Sequence, residues 1–223
     1  HVVRFVELAI QHMETIYAKG KIPLLVGGTG FYIQALLYNI DFTEQECDEV
    51  YRSKLECLAD EKGVEYLHKM LQEVDPKSAE AIHANNRKRV IRALEFYHLT
   101  GEKISVHNER ERAKESPYNF AYFVLSDNRA TLYDRIDRRV DAMVAQGLVE
   151  EVARLKKMGC NRDMVSMQGL GYKEILAYLD GDCTLEEAVY IIKRETRHFA
   201  KRQLTWFRRE RDVIWFDKNA YHH

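Results

Sequence analysis

The segment around the first glycine-rich turn limits the choice of fold more than any other part of the sequence. Residues 22–26 (Ile-Pro-Leu-Leu-Val) form a short apolar run that ends at Gly27-Gly28, and such a run predicts a buried parallel strand. The spacing of apolar residues predicts a helix before it, over 2–19, and another after it, over 30–38. Helix, strand, glycine-rich turn and helix in this order indicate an α/β fold.

The C-terminal half of the chain shows similar signals. Residues 120–125 are a second apolar run and predict a second buried strand, and Asp127 can cap the helix that follows. Thr184-Leu185-Glu186-Glu187 is a capping box that opens a helix reaching about Arg209, and 213–216 predict a final strand. We therefore predict an α/β fold with a parallel sheet flanked by helices.

A helical segment separates the two parts of this predicted sheet. Residues 44–74 are acidic and helical in propensity, 87–99 predict a strong helix, and 105–116 are polar and poorly periodic. We therefore predict a first core segment, an inserted helical domain and a second core segment, with boundaries at 1–43, 44–112 and 113–223.

Composition excludes several classes of protein. The chain has 223 residues, of which 46% are hydrophobic and 31% charged, so it can bury a full core and is not a disordered chain. No run of about 18 apolar residues predicts a membrane span. The four cysteines are scattered, without a CxxC pair or a Cys/His cluster, and therefore predict neither a zinc site nor a disulfide framework. A reducing cytosol is the simplest compartment, and nothing in the sequence requires more than a monomer.

Positive charge is concentrated locally although the net charge is only −1. Residues 193–211 carry eight Lys/Arg against two Asp/Glu, and 76–115 carry nine against six. The net charge argues against a nonspecific nucleic-acid coat, whereas local basic patches suit a shaped anionic partner. Solvated helix faces explain the same pattern, and this alternative stays open.

The turn Gly27-Gly28-Thr29-Gly30 is a candidate ligand site. Glycines allow a backbone to approach a phosphate or a base, and Thr29 adds a hydroxyl at the C-terminal end of the predicted strand, where open α/β sheets bind ligands. No Lys-Ser/Thr follows the glycines, so the turn is not a Walker A loop. A tight connection between strand and helix is the alternative.

Two predicted helices carry arginines on one face. Arg89 and Arg92 lie near a helix N-terminus, where positive charge opposes the helix dipole and therefore suggests phosphate binding. Arg135 and Arg139 are one helical turn apart, which suits a diphosphate. The alternatives are a solvated face for the first pair and, for the second, ion pairs with Asp134, Asp137 and Asp141.

Two further segments are candidates for contact with a nucleic acid. Residues 168–174 (Gln-Gly-Leu-Gly-Tyr-Lys-Glu) suit a loop against a nucleotide, although a plain entry into a helix explains them equally well. The last long helix carries a basic stripe that could follow phosphates, formed with Thr205 by Arg194, Arg197, Lys201 and Arg208. We expect Trp206, opposite this stripe, in the core rather than stacked on a base.

Together these segments resemble the bacterial tRNA dimethylallyltransferases, also called tRNA isopentenyltransferases. The resemblance covers nearly the whole chain. It rests on IPLLVGGTGFYIQALL (22–37), HANNRKRVIRALEF (83–96), RIDRRVDAMVAQGLVEEV (135–152), QGLGYKE (168–174) and FAKRQLTWFR (199–208). Each stretch is modest alone, whereas their order and combination are highly specific.

The resemblance implies a P-loop-NTPase-like fold with an inserted helical domain that contacts tRNA. It implies transfer of a dimethylallyl group from dimethylallyl diphosphate to the exocyclic amine of the tRNA adenine 3′-adjacent to the anticodon. The implied partners are the tRNA anticodon stem-loop and dimethylallyl diphosphate. The implied cofactor is Mg²⁺, held by the substrate diphosphate and by a segment N-terminal to this sequence. The enzyme would be cytoplasmic and would take the base out of its stack.

The resemblance also implies roles for individual residues. Arg135 and Arg139 match the arginine helix near the diphosphate and are the candidate catalytic residues. The resemblance does not indicate which of the two contacts the diphosphate. The implied tRNA-binding residues are Thr29, Arg52, Lys88, Arg89, Arg92, Gln168, Gly169, Gly171, Tyr172, Lys173, Lys201, Arg202, Gln203, Thr205, Trp206 and Arg208.

One departure from the family pattern concerns the N-terminal side. The family's phosphate-binding loop, with its Gly-Lys-Ser/Thr, and its general-base aspartate are not found in this sequence. We therefore expect the chain alone to be poorly active. Two other functions stay open at this point, a P-loop kinase or NTPase acting on small molecules and a non-catalytic RNA-binding protein.

Overall fold

The computed structural model describes residues 1–40 and 48–221. The described chain forms two compact units. The first contains His1–Gly27 and Phe31–Asn119, and the second contains Gly28–Gly30 and the chain from Phe120 onward. The domain boundary predicted at 43/44 lies outside the described residues, as do Cys47 and the first four residues of the predicted 44–74 helical stretch. The predicted division into core and insertion therefore stays a prediction.

The first unit is helical throughout its described elements. Their bounds are α1 Val2–Tyr17, α2 Gly30–Leu37 (whose first residue belongs to the second unit), α3 Glu49–Lys62, α4 Val64–Val74, α5 Pro76–Ala81, α6 Arg87–Thr100 and α7 Ile104–Ala113. A core cluster joins α3 to α6, and its most deeply buried side chains include Leu55, Leu67, Leu71 and Val90. The helices predicted over 2–19, 30–38 and 87–99 are confirmed within two residues at each end.

Helix α7 was not predicted, because its sequence is polar and lacks a clear apolar face. The buried carboxylate of Asp75, which also caps α5, holds its first turn in place. The carboxylate accepts hydrogen bonds from the backbone N–H and the hydroxyl of Ser78, at 3.1 and 2.6 Å, and from the same two groups of Ser105, at 2.9 and 2.7 Å. Burial alone would raise the pKa of Asp75, but these four bonds outweigh it and leave the pKa lowered. Tertiary hydrogen bonding thus orders a helix that hydrophobic periodicity does not reveal.

Replacing Asp75 by alanine should lower the free energy of unfolding by about 3 kcal/mol, because four donors would lose their acceptor in a buried place. A carboxylate whose pKa is lowered by folding stabilises the fold above its unfolded pKa of about 3.9, and this contribution is lost as pH falls through the lower folded pKa. Urea denaturation at neutral pH and at a series of acid pH values measures both effects. Asp75→Asn is the matched control that keeps one acceptor oxygen. The free energy of unfolding of the parent protein should fall more steeply with decreasing pH than that of Asp75→Asn. Equal slopes would contradict the expectation.

The second unit combines helices with a small parallel sheet. Its described elements are β1 Tyr122–Ser126, α8 Arg129–Ala145, α9 Leu148–Lys157, a 3₁₀ turn Val165–Gln168, α10 Tyr172–Leu179, α11 Leu185–Phe207, β2 Val213–Asp217 and a 3₁₀ turn Lys218–Tyr221. Strands β1 and β2 pair in parallel, with Tyr122 opposite Val213. The ring of Tyr122 meets Phe207 of α11 edge-on, with centroids 6.2 Å apart. The predicted mixed α/β fold with a parallel sheet and flanking helices is confirmed.

Three local predictions are wrong. Residues 22–26 form no strand, and the side chains of Ile22, Leu24 and Val26 are 91%, 85% and 83% exposed. A strand requires a neighbour that pairs with its backbone, and the sheet within the described residues contains only β1 and β2. Strand β1 is confirmed, but only one of its faces is buried, because its side chains alternate between buried and exposed. The cap of α8 is Asn128, whose Oδ1 accepts from the Thr131 N–H at 2.8 Å, and not Asp127.

Candidate functional site

The glycine loop, Gly28–Gly30, packs directly against α11. The amide Nε2 of Gln203 donates a hydrogen bond to the Gly28 carbonyl at 2.8 Å. A Cβ atom on Gly28 would lie 2.2 Å from this Nε2, and one on Gly30 would lie 2.1 Å from Cδ1 of the Trp206 ring. The packed ring leaves no room for a side chain at Gly30, whereas a side chain at Gly28 would have to displace the flexible amide of Gln203. The protein itself thus crowds the loop, a reason for glycine that the sequence does not distinguish from approach of a ligand.

Thr29 is the residue that this packing presents to solvent. Its side chain is exposed, whereas Gly30 beside it is buried. The indole of the half-buried Trp206 lies against Gly30. Gln203 and Trp206 of α11 thus pack against the glycine loop and support it. Their predicted contact with tRNA stays a prediction.

The N-terminal part of the basic stripe on α11 is neutralised by acidic residues. Lys193 lies 2.6 Å from Asp141 of α8, and one nitrogen of Arg197 lies 2.7 Å from both carboxylate oxygens of Asp137. Arg194 pairs with its neighbour Glu195 at 2.9 Å. Lys193 and Arg197 thus connect α11 to α8, while Arg194 pairs within α11. The charge of these residues is already neutralised and is not available to a large anionic ligand.

The C-terminal part of the stripe is different, and we call it the 201–208 surface. It consists of Lys201, Arg202, Thr205 and Arg208, all exposed. Within the part of the chain that the structure describes, no carboxylate forms an ion pair with its three cations, while the guanidinium of Arg202 lies 5.8 Å from the centroid of the Phe199 ring. An uncompensated row of cations with an adjacent aromatic ring suits an RNA backbone.

The two candidate catalytic arginines of α8 have different surroundings. A guanidinium nitrogen of Arg135 lies 2.7 Å from the carboxylate of Asp127, whose side chain is only 5% exposed. Arg139 is exposed, and no acidic group among residues 1–40 and 48–221 pairs with it. Intrahelical pairing, the alternative reading of this helix, holds only for Arg138 with Asp134. Arg139 is therefore the arginine of this pair that is available to a diphosphate.

Helix α6 likewise carries one basic residue that is paired within the fold and others that are exposed. Arg87 donates to both carboxylate oxygens of Asp60, at 2.6 and 3.1 Å, and to the Glu56 carbonyl at 2.6 Å, so it fixes α6 to α3. The next basic residues of α6 are exposed, and none of them has an ion-pair partner in the described chain. They are Lys88, Arg89 and Arg92. They surround a helix N-terminus whose cap residue provides no side-chain hydrogen bond, which leaves both charge and backbone donors for an anion.

Arg52 of α3, the remaining tRNA-binding candidate of the first unit, pairs with a residue of α6. Its guanidinium is 3.4 Å from the carboxylate of Glu95, whose side chain is 5% exposed. A buried carboxylate needs such a partner, so Arg52 has a role in the fold in addition to any contact with RNA.

Residues 168–173 form an ordered entry into α10. The N–H of Gly171, which has a φ of 101°, donates to the Glu174 carboxylate at 2.8 Å, and Gln168 donates to the Arg162 carbonyl at 3.3 Å. The hydroxyl of Tyr172 donates to Glu151, and this hydrogen bond raises the pKa of Tyr172. The alternative of a helix entry thus describes the geometry, and contact of this segment with tRNA stays a prediction.

Glu210 is a residue that the sequence analysis missed. Its carboxyl is partly buried next to Trp206, one helical turn further along the chain. The available signal was an isolated acidic residue within a basic run, four positions after a tryptophan. Burial raises the pKa of Glu210, while the charge of Arg211 acts in the opposite direction.

Neither a metal site nor a membrane span is found in the described chain. Its His, Cys, Asp and Glu side chains form no group of three or more that could hold a metal ion. The described residues therefore do not by themselves fit a Mg²⁺ ion. None of the helices with described residues combines the length and the apolar character needed to cross a bilayer.

Comparison with known proteins identifies the family. Residues 1–210 match the family described as IPP transferase. The tRNA dimethylallyltransferase of Lachnoclostridium phytofermentans is 60% identical over 221 residues, which cover 99% of this chain and 71% of that protein. That of Acetivibrio thermocellus is 52% identical over 220 residues, covering 99% and 70%.

Solved structures agree with this result. The tRNA isopentenylpyrophosphate transferase of Bacillus halodurans is 46% identical with a TM-score of 0.66, covering 97% of this chain and 67% of that one. A eukaryotic dimethylallyltransferase acting on tRNA is 27% identical with a TM-score of 0.73, covering 97% and 56%. The fold of these neighbours is P-loop-like. The chain therefore belongs to the IPP transferase family, whose members attach a dimethylallyl group to tRNA.

Proposed function

We propose that this protein transfers a dimethylallyl group from dimethylallyl diphosphate to the exocyclic amine of the tRNA adenine 3′-adjacent to the anticodon. The observation that carries the proposal is the identity of 60% with a tRNA dimethylallyltransferase over 99% of the chain. The exposed cations of α6 and of the 201–208 surface support it, because an RNA backbone needs positive charge that is not already neutralised.

The reaction is a displacement at the allylic carbon. The amine nitrogen of the adenine forms a bond to this carbon, and the bond from carbon to the diphosphate oxygen breaks as diphosphate leaves. The amine passes its proton to a base, the role that the family resemblance gives to an aspartate not found in this sequence. Negative charge on the leaving diphosphate is the charge that the protein must stabilise. We assign this role to Arg139, since it is exposed and unpaired, while Arg135 is held by Asp127. Mg²⁺ is the proposed cofactor on the strength of the family, and none of the described residues is assigned as its ligand.

The tRNA contacts fall on three proposed surfaces. They are Thr29 on the glycine loop, the exposed start of α6, and the 201–208 surface of α11. The first would lie next to the target base, as the family resemblance implies, and the other two would bind phosphates. A cytoplasmic monomer fits the proposal, because tRNA is the substrate and no described surface requires a second copy.

Binding of an anticodon stem-loop across a salt series tests this function. Two RNAs are compared, one with adenine next to the anticodon and one with another base there. We expect tighter and salt-sensitive binding of the adenine RNA. Combined alanine substitution of Lys201, Arg202 and Arg208 should make the plot of the logarithm of the binding constant against the logarithm of the salt concentration less steep. Its negative slope should decrease in magnitude by about 2 to 3, which is slightly less than one for each lost phosphate contact.

The matched control is Lys157→Ala on α9, an exposed lysine without an ion-pair partner in the described chain. Its slope should change by less than that of any single substitution on the 201–208 surface. Equal binding of the two RNAs would favour a generic RNA-binding protein, and absence of binding would favour a kinase-like relative.

A further inference from the structure

The first turn of α8 carries an arginine that has no role in the proposed reaction. Arg129 is exposed and is the first residue of this helix, directly after the cap residue Asn128. Its Nε–H donates to the hydroxyl of Tyr133 at 3.0 Å, and its guanidinium carbon lies 5.1 Å from the centroid of the Tyr133 ring. These two contacts with one side chain fix the direction of a guanidinium that lies at the surface.

The charge of Arg129 is not neutralised. The acidic residues between 127 and 137 are each paired with another cation, namely Asp127 with Arg135, Asp134 with Arg138 and Asp137 with Arg197. Within residues 1–40 and 48–221, Arg129 itself forms no ion pair, and its two terminal nitrogens donate no hydrogen bond. The terminal edge of the guanidinium therefore keeps the forked donors that suit a phosphate.

Helices α8 and α11 run antiparallel to each other. Asp141 of α8 pairs with Lys193 of α11 at 2.6 Å, and Asp137, one turn earlier on α8, pairs with Arg197, one turn later on α11, at 2.7 Å. Each step toward the N-terminus of α8 is thus a step toward the C-terminus of α11, where the 201–208 surface lies.

This register brings Arg129 to the 201–208 surface. The guanidinium carbon of Arg197 lies 6.0 Å from the centroid of the same Tyr133 ring that holds Arg129. One further turn in the same direction leads from Tyr133 to Arg129 on α8 and from Arg197 to Lys201 on α11. Arg129 therefore continues the row of unpaired cations from α11 onto α8.

We propose that Arg129 binds a phosphate of the RNA backbone and forms, with the 201–208 surface, one basic surface that spans α8 and α11. Tyr133 is the positioning residue of this contact, because a guanidinium that is already oriented loses less conformational freedom on binding. The proposal rests on the proposed function in that the anionic partner is tRNA. The orientation and the charge of Arg129 depend on no ligand.

Two substitutions separate the charge from its orientation, and both are measured as binding of the adenine stem-loop across a salt series. Arg129→Ala should raise the Kd about tenfold at low salt and reduce the magnitude of the salt slope by slightly less than about one. Tyr133→Phe keeps the ring and the charge but removes the hydroxyl acceptor. It should raise the Kd about threefold and leave the salt slope unchanged, since the same charge then has to be ordered on binding.

Arg138→Ala is the matched control on the same helix. Arg138 lies nine residues after Arg129, or two and a half turns, and is therefore on the opposite side of α8, where it pairs with Asp134. This substitution removes the same net charge and should change the Kd by less than about twofold. If Arg129→Ala and Arg138→Ala had equal effects, only the net charge of the chain would matter and the proposal would be overturned.

Neutral methylphosphonate linkages, introduced one at a time into the stem-loop, locate the contact. The linkage that replaces the phosphate bound by Arg129 should weaken binding to the parent protein and have no further effect on Arg129→Ala. In Lys201→Ala, the insensitive linkage should be the same one or its neighbour, because the two cations belong to one surface. A pattern of sensitive linkages that is identical in the parent protein and Arg129→Ala would contradict the proposal.

Failure of the proposed function gives a different result. If the adenine stem-loop and its counterpart with another base bind equally well, and both lose affinity in Arg129→Ala, then the function fails and the basic surface remains. If the adenine preference is present and Arg129→Ala binds like the parent protein, then the function remains and the surface is wrong. If neither RNA binds the parent protein, the surface is likewise wrong, and prenyl transfer by the intact gene product is the separate check of the function.

Discussion

Substitution of Arg139 by alanine should slow prenyl transfer by about 100- to 1,000-fold, with little change in the Kd of tRNA. Removing one preorganised group that stabilises charge in the transition state typically has an effect of this size. Arg139 is exposed and has no ion-pair partner in the described chain, so its removal leaves no buried carboxylate uncompensated and should not destabilise α8. Single-turnover transfer to a tRNA anticodon stem-loop by the intact gene product, with a binding assay beside it, measures both quantities.

The neighbouring residue provides a matched control. Arg138 lies on the same exposed part of α8, but it pairs with Asp134 one turn away. Arg138→Ala removes the same charge from the same helix and should change the transfer rate by less than threefold, since the paired guanidinium already has its partner. Arg139→Lys keeps the charge without the forked geometry and should fall between the two. If Arg139→Ala weakened tRNA binding and left the rate at saturating tRNA unchanged, the assignment to the diphosphate would be wrong.

The difference between these arginines also shows where sequence reasoning ends. Spacing along α8 identified Arg135 and Arg139 as neighbours on one face, and this is local information. Pairing of the acidic residues within α8 was the alternative interpretation, but Asp137 and Asp141 instead bind Arg197 and Lys193 of α11. Which charges are neutralised depends on packing between helices that are far apart in sequence, so the free cations could be recognised only in the structure.

The fold follows the same division between local and tertiary information. The capping box at Thr184 and Glu187 is present as predicted, because both of its hydrogen bonds, at 3.2 and 2.8 Å, form within one turn. The strand predicted over 22–26 is wrong, because strand formation depends on a pairing partner that the local sequence does not supply. Helix α7 was missed for a related reason, since its order comes from the buried carboxylate of Asp75.

The glycine loop was recognised for its composition, and its geometry leads to the second large effect. Gly30→Ala should disturb the loop strongly, because the added Cβ would lie 2.1 Å from a ring carbon of Trp206, and a packed indole cannot move aside as a flexible side chain can. Overpacking of this kind costs about 1 to 3 kcal/mol of stability. Displacement of a substrate-positioning group by about 1 Å can reduce catalysis about 100-fold.

Gly27→Ala is the control that the chain itself offers, since a Cβ at Gly27 meets no atom within 4 Å. We expect it to leave stability and prenyl transfer close to the parent values, whereas Gly30→Ala should lower both. Gly28→Ala should be intermediate, because its Cβ would meet the movable amide of Gln203 at 2.2 Å and break a single hydrogen bond. Urea denaturation and single-turnover transfer on the three variants test this order. Equal effects of Gly27→Ala and Gly30→Ala would mean that the loop needs glycine for its backbone conformation or its ligand, and not for its contact with α11.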